Sequence, residues 1–273
     1  MSTAPQPTTL TLPLNEPNLA DQPLNALILG ARGGVGEALA HALSLHPRLQ
    51  HPQSRFLCTS RDPQWVRQAP QSPSPQLTRA QLDLCDEAQW AALVEQIQAW
   101  PTPSLDLIIN ATGLLHDQAR GLNPERALKQ LELESMRTLF EVNTFGVALA
   151  LKHLTPLMPR KAPSIFASLS ARVGSISDNR LGGWHSYRAS KAAQHMLIKG
   201  ASIELARTHP LALCVALHPG TVSTALSAPF TSAKTPRLLT PEQSAEALLR
   251  VLAHLTPQSS GRCFAWDGLE VPS

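Results

Sequence analysis

At 273 residues, 43% of them hydrophobic and with a formal charge of +3, the chain suits one α/β domain with a sizeable core and lacks the Lys/Arg block of a nucleic-acid or membrane surface. No apolar run nears the ~20 residues of a membrane span and no signal peptide is visible, so a soluble cytoplasmic protein is expected. Cys58, Cys85, Cys214 and Cys263 are far apart and the ten histidines share no ligand spacing, which reads as reduced thiols and argues against a metal site.

Residues 1–23 are rich in Pro and Thr and read as a flexible arm ahead of a single domain over 24–273. The apolar run Asn25–Leu29 predicts a buried strand. Gly30, Gly34 and Gly36 follow it, with Arg32, Gly33 and Val35 between them, and an Ala/Leu-rich helix runs over 34–45. Strand, glycine turn and helix together make a nucleotide site. Gly30 turns the chain, Gly34 admits a pyrophosphate to the backbone, Gly36 lets the helix pack on the sheet, and the helix amino terminus attracts the anion. A second strand over 55–59 leads into Ser60, Arg61 and Asp62. Cys58 and Thr59 occupy the place where an NAD site offers a carboxylate, whereas an NADP site offers hydroxyl and basic groups there. Ser60 and Arg61, with Arg32 from the glycine loop, favour NADP; in the competing reading Arg61 pairs with Asp62 in solvent, or Asp62 binds a ribose.

A third strand over 77–83 precedes a helix over 87–100 capped by Asp86, and 105–110 forms the fourth strand. Then come a long helix over 131–157, a strand over 164–170, a helix over 184–208, a strand over 211–217, a helix over 241–255 and a strand over 263–266. This alternation predicts a doubly wound sheet of about seven parallel strands with helices on both faces. The Pro/Ser-rich stretch 70–75 reads as a surface loop. The long polar segment 221–240 follows a strand's carboxyl end and reads as a substrate lid, with Leu226, Pro229 and Phe230 as an apolar wall. On the helix over 184–208, Tyr187, the only tyrosine, stands four residues before Lys191, which sets phenol and ammonium side by side. A phenol titrates near pH ~10 and exchanges its proton slowly at neutrality unless a positive charge stabilises the phenolate. Lys191 can supply that charge.

Together these segments resemble the short-chain dehydrogenase/reductase family over nearly all of residues 25–266, a Rossmann-type fold. The family's Gly-x-x-x-Gly-x-Gly turn falls on Gly30, Gly34 and Gly36. Its Asn-Ala-Gly element appears as Asn110-Ala111-Thr112-Gly113, with one residue inserted. Asn143 matches the catalytic Asn, Tyr187 and Lys191 match the active-site pair, and Pro219-Gly220 match the turn beside the nicotinamide. Segments 169–176 and 182–191 look like the C-factor and Sniffer branch. The resemblance implies NADP(H)-dependent reduction of an aldehyde or ketone, with Tyr187 as general acid/base. Lys191 would lower the phenol's pKa and hold the nicotinamide ribose, and Asn143 would position a water. It also implies adenine contacts from Asp83 and Leu84, cofactor contacts from Asn110, Ala111 and Thr112, and contacts from Val222 and Thr224 to the carboxamide and phosphate.

One departure stands out. Members usually carry a catalytic serine where this chain has Ala171, so Ser170 or Ser175 must orient the substrate carbonyl. Alternation along a strand turns Ser170 away from the face of residue 171, which favours Ser175. The departure keeps a second reading open, an NADP-binding signalling or sensor protein with little turnover. The expected partner is a small-molecule carbonyl or alcohol, and pairing through the helices over 131–157 and 184–208 implies a homodimer or homotetramer.

Overall fold

The computed structural model describes residues 22–68, 72, 74–232 and 234–273. Most of the expected arm therefore lies outside the described residues. Its last two residues are tied down, because Arg48 donates to the carbonyls of Gln22 (3.1 Å) and Pro23 (3.0 Å). Of the loop expected over 70–75, residues 70, 71 and 73 also lie outside them.

Eight strands form one sheet in the order β3-β2-β1-β4-β5-β6-β7-β8. They are β1 (Asn25–Leu29), β2 (Arg55–Ser60), β3 (Leu77–Gln81), β4 (Leu107–Asn110), β5 (Ser164–Leu169), β6 (Ala212–His218), β7 (Cys263–Ala265) and β8 (Glu270–Val271). The first seven run parallel, and β8 adds to β7 in antiparallel sense. This edge strand was not expected; two residues are too few to display a period of two.

Alternation along the strands divides the core into two layers. Ala26, Ile28, Phe56, Leu107, Ile109, Ile165 and Ala167 face α1 (Gly34–Ser44) and α7 (Pro241–His254). Leu27, Leu29, Leu57, Ile108 and Phe166 face α3 (Glu87–Gln98), α5 (Gly146–Leu154) and α6 (His185–Thr208). Apolar runs buried on both faces are what a parallel sheet between helices requires. The short α2 (Pro63–Arg67) starts on Asp62, whose side chain accepts from Gln64 N. Asp86 caps α3 as expected, accepting from Ala88 N and Gln89 N, and Thr240 with Gln243 forms a capping box at the start of α7.

The helix expected over 131–157 is not continuous. It consists of α4 (Leu133–Phe140), a π turn (Glu141–Phe145) and α5. The apolar pattern runs through the break, but a widened turn is set by contacts from elsewhere. At Gly146 an added Cβ would stand 2.8 Å from Leu84, and Asn143 in the π turn reaches across to Leu114. Single π turns of this kind recur at functional positions. The strand order reverses between β1 and β4, so the carboxyl ends of β2, β1 and β4 open the crevice where doubly wound sheets hold ligands. Among the described residues no helix is long and apolar enough to cross a membrane.

Candidate active site

A groove of about 410 Å3 lies over that switch point. Nine residues singled out from the sequence line it: Gly30, Arg32, Gly33, Ser60, Arg61, Asp83, Leu84, Ala111 and Thr112. Its floor depends on close backbone approach. Gly30 has φ +77°, where a side chain would be strained, and the N–H groups of Gly30 and Ala31 both donate to Thr59 O. A Cβ on Gly36 would stand 2.4 Å from Gly30 O, so α1 can meet the turn only through a glycine. Gly34 and Val35 do not line the groove; an added Cβ on Gly34 would stand 2.8 Å from Thr224 Cγ2, where the 221–240 segment crosses the turn.

At the rim, Thr59 and Ser60 line the groove at the end of β2. The nearby Asp62 is already engaged: one oxygen accepts from Gln64 N (2.8 Å) and the other pairs with Arg32 (3.2 Å). Asp62 thus pairs with Arg32 and not, as the competing reading had it, with Arg61. Arg61 is exposed and has no ion pair among the described residues. Asp83 accepts from Cys85 N (3.0 Å), and Asn110 is wholly buried beneath the groove.

The inner end of the groove meets α6. This helix starts on Trp184, a non-glycine residue at φ 50° whose N–H donates to Glu125 O (2.5 Å). The buried Glu125 carboxylate accepts from the N–H and hydroxyl of Ser186, which satisfies the helix start. Beyond it the buried face of α6 is polar for three turns: Ser186, Tyr187, Ser190, Lys191 and Gln194. Tyr187 is 7% exposed and clusters with Leu115, Leu122 and Leu139, with Leu114, Ala171, Val173 and Trp184 packed against them. Burial pushes its phenol pKa well above the ordinary value. Among the described residues none hydrogen-bonds its hydroxyl. Lys191 Nζ lies 5.9 Å from the Tyr187 ring centre, and burial brings its ammonium down to about 7.

Asn143 joins the groove wall to the helix. Its Oδ1 accepts from Leu114 N (2.9 Å), while Nδ2 donates to Leu114 O (2.8 Å) and Ser190 Oγ (3.1 Å). The two candidate serines, which follow β5, each have a partner of their own. Ser170 Oγ meets His195 Nε2 at 2.8 Å, and Ser175 Oγ accepts from Asp178 N at 3.1 Å. Ala171 and Val173 are the residues of this stretch packed against the Tyr187 cluster. His195 is held down to about 4 by burial and then by Lys191 and His218; His218 is likewise held down to about 4 by burial and then by Arg172.

Part of the segment 221–240 packs against this end. Val222 bridges Leu239, and Phe230 sets its ring edge-on to Trp184 (5.0 Å) and to His116 (5.5 Å). His116 Nε2 lies within reach of the Ala225 and Leu226 carbonyls (3.2 and 3.1 Å), so it carries the proton there. At the base, Pro219 O accepts from Ser244 Oγ, and Gly220, at φ +82°, abuts Trp266. Glu125, His116, Trp184 and Gln194 were not singled out from the sequence. Only Gln194 carried a local signal, as a polar residue one turn past Lys191 on the buried stripe.

The short chain dehydrogenase family profile matches residues 24–235. The C-signal protein of Myxococcus xanthus is 32% identical over 171 residues, 63% of this chain and 94% of that protein. The chain spans only 58% and 56% of two other curated relatives that it matches. Among solved structures, the carbonyl reductase Sniffer of D. melanogaster superposes with a TM-score of 0.76 at 21% identity, over 92% of this chain and all of that one. The NADPH-bound carbonyl reductase from chicken fatty liver does so with 0.73 at 25% identity, over 92% and 99%. With the glycine turn, the polar stripe of α6 and these likenesses in agreement, the chain belongs to the short-chain dehydrogenase/reductase family of oxidoreductases.

Proposed function

We propose that the protein reduces an aldehyde or ketone with NADPH, with Tyr187 as the general acid. One observation carries the reading: a buried phenol with no hydrogen-bond partner among the described residues, kept protonated by its surroundings, packs behind Leu114, which lines a groove fit for a dinucleotide. A proton donor in its protonated form is what carbonyl reduction needs at neutral pH.

The groove suits NADP(H) on its own chemistry. A glycine cradle in which a Cβ at Gly30 or Gly36 would clash would take the pyrophosphate, and Ser60, Arg61 and Arg32 would take a 2′-phosphate through hydroxyl and guanidinium groups. The bound nicotinamide supplies the hydride. This chain's residues do the rest. The Tyr187 hydroxyl gives its proton to the carbonyl oxygen, and the Lys191 ammonium stabilises the phenolate left behind. Asn143 holds the Leu114 wall against Ser190, which keeps Tyr187 in line with the groove. Trp184, Phe230 and His116 keep water out. Exposed Phe145, at the end of the π turn before α5, and Ile203 of α6 offer apolar contacts for pairing.

A second reading, a nucleotide-binding sensor with little turnover, draws on Ala171 packing near Tyr187 where a serine was expected, on the engagement of Ser170 with His195, and on the likeness to the C-signal protein. NADPH oxidation with a panel of aldehydes, ketones and quinones separates the two. Turnover at enzymatic rates is the expected result; NADPH binding without turnover on any of them would favour the sensor.

A further inference from the structure

Lys191 is anchored from behind by a side chain outside the family's catalytic set. Its Nζ donates to Gln194 Oε1 (3.0 Å) and to Leu169 O (3.2 Å). Gln194 is completely buried, and its Nε2 donates to Ser168 Oγ (2.8 Å) and Leu169 O (3.0 Å). With both amide protons committed, Oε1 is left to face the ammonium. Ser168 Oγ also accepts from Asn110 Nδ2 (3.0 Å), and Asn110 Oδ1 accepts from Thr112 Oγ1 (2.7 Å). Thr112 lines the nucleotide groove. An unbroken line of side-chain hydrogen bonds thus runs from the groove, beneath the ends of β4 and β5, to Lys191.

An ammonium carries three protons, and two are spent on Gln194 and Leu169. The third has one open side. A Cβ built on Gly113 would stand 3.7 Å from Nζ, and Gly113 lines the inner end of the groove. The groups around Nζ bring no negative charge at neutral pH. Burial keeps the Tyr187 phenol and the Cys263 thiol of β7 protonated and His195 neutral, and Asn143 is an amide. The carbonyl dipoles of Gln194 and Leu169 therefore support the charge.

We propose that Gln194 is a positioning residue for Lys191: it aims the free N–H of the ammonium at the inner end of the groove and, through Ser168 and Asn110, ties that aim to Thr112. The catalytic consequence rests on the reading of Lys191 given above. A shape-conserving Gln194→Leu change removes the acceptor and frees the ammonium to swing, while Gln194→Glu restores an acceptor and adds a charge.

The test is the titration of Lys191 in the nucleotide-free full-length protein by 13C-lysine NMR, with its signal identified by loss in Lys191→Met. The wild-type midpoint is expected near 7. Gln194→Leu should move it down and Gln194→Glu up, each by about one pH unit. Steady-state rates with NADPH should show kcat falling about tenfold in Gln194→Leu with little change in KM for the carbonyl, and recovering in Gln194→Glu. If Gln194→Leu does not fold, Gln194→Met takes its place. Unchanged midpoints in both substitutions would overturn the proposal. If Lys191→Met itself turned over at the wild-type rate, the catalytic reading would fail instead, and the titration would still report whether Gln194 holds the lysine.

Discussion

The two ends of the cleft are made of different material. Over β1, β2 and β4 the groove is largely backbone and small residues, and its decisive contacts are distances that leave no room for a Cβ, such as Gly36 against Gly30 O. Around Tyr187 it is a set of buried side chains whose hydrogen bonds join segments remote in sequence: Asn143 to Leu114, Gln194 to Ser168, Glu125 to Ser186. A backbone site tolerates most changes except added volume. A side-chain network tolerates volume-conserving changes except the loss of a polar partner, because an unpaired buried group costs ~1–3 kcal/mol.

Four substitutions or conditions sharpen that contrast. Gly36→Val should be the most damaging, since backbone oxygen cannot move aside; we expect loss of NADPH binding and destabilisation of more than ~3 kcal/mol, read by calorimetry and fluorescence titration. Acid should come next and act at the catalytic end. His195 and His218 have folded pKa values near 4, below the ordinary 6.5, so the unfolded chain takes up protons first as pH falls. Stability should decline between about pH 6.5 and 4, by at most ~3 kcal/mol for each histidine. A His218→Gln variant should show a shallower fall in Tm over that window; an identical fall would remove His218 from the account.

Back at the nucleotide end, Arg61→Glu should lower the preference for NADPH over NADH by about 100-fold, because a carboxylate would meet the 2′-phosphate and suit a free ribose. Comparison of kcat/KM for the two cofactors checks this. Smallest in effect, Ala171→Ser should return a hydroxyl to the wall packed around Tyr187 and raise kcat about tenfold. A variant no faster than wild type would mean that the carbonyl is oriented by other groups.

The same contrast explains what could be read from the sequence. β1 and the glycine turn are local patterns, and their geometry follows from the order of residues within a dozen positions. The carboxyl-end placement of Ser60, Arg61 and Thr112 follows from strand order alone. The π turn at Asn143 does not, since it depends on Leu84 and Leu114, which lie far away in the chain. Neither does the pairing of Asp62 with Arg32, which requires knowing that the glycine loop folds over the end of β2. The partner of Ser170, His195, lies on another element, and no local pattern pairs the two. Glu125 lies in an irregular segment, and nothing nearby in the sequence marks it as the cap of α6.

The most direct test of the central claim pairs two measurements on Tyr187→Phe, a change that removes one oxygen from a buried, well-packed ring. We predict that NADPH affinity stays within about twofold of wild type while carbonyl reduction falls by roughly 10²–10⁴-fold. Turnover at the wild-type rate in the Phe variant would contradict the assignment of Tyr187 as the proton donor.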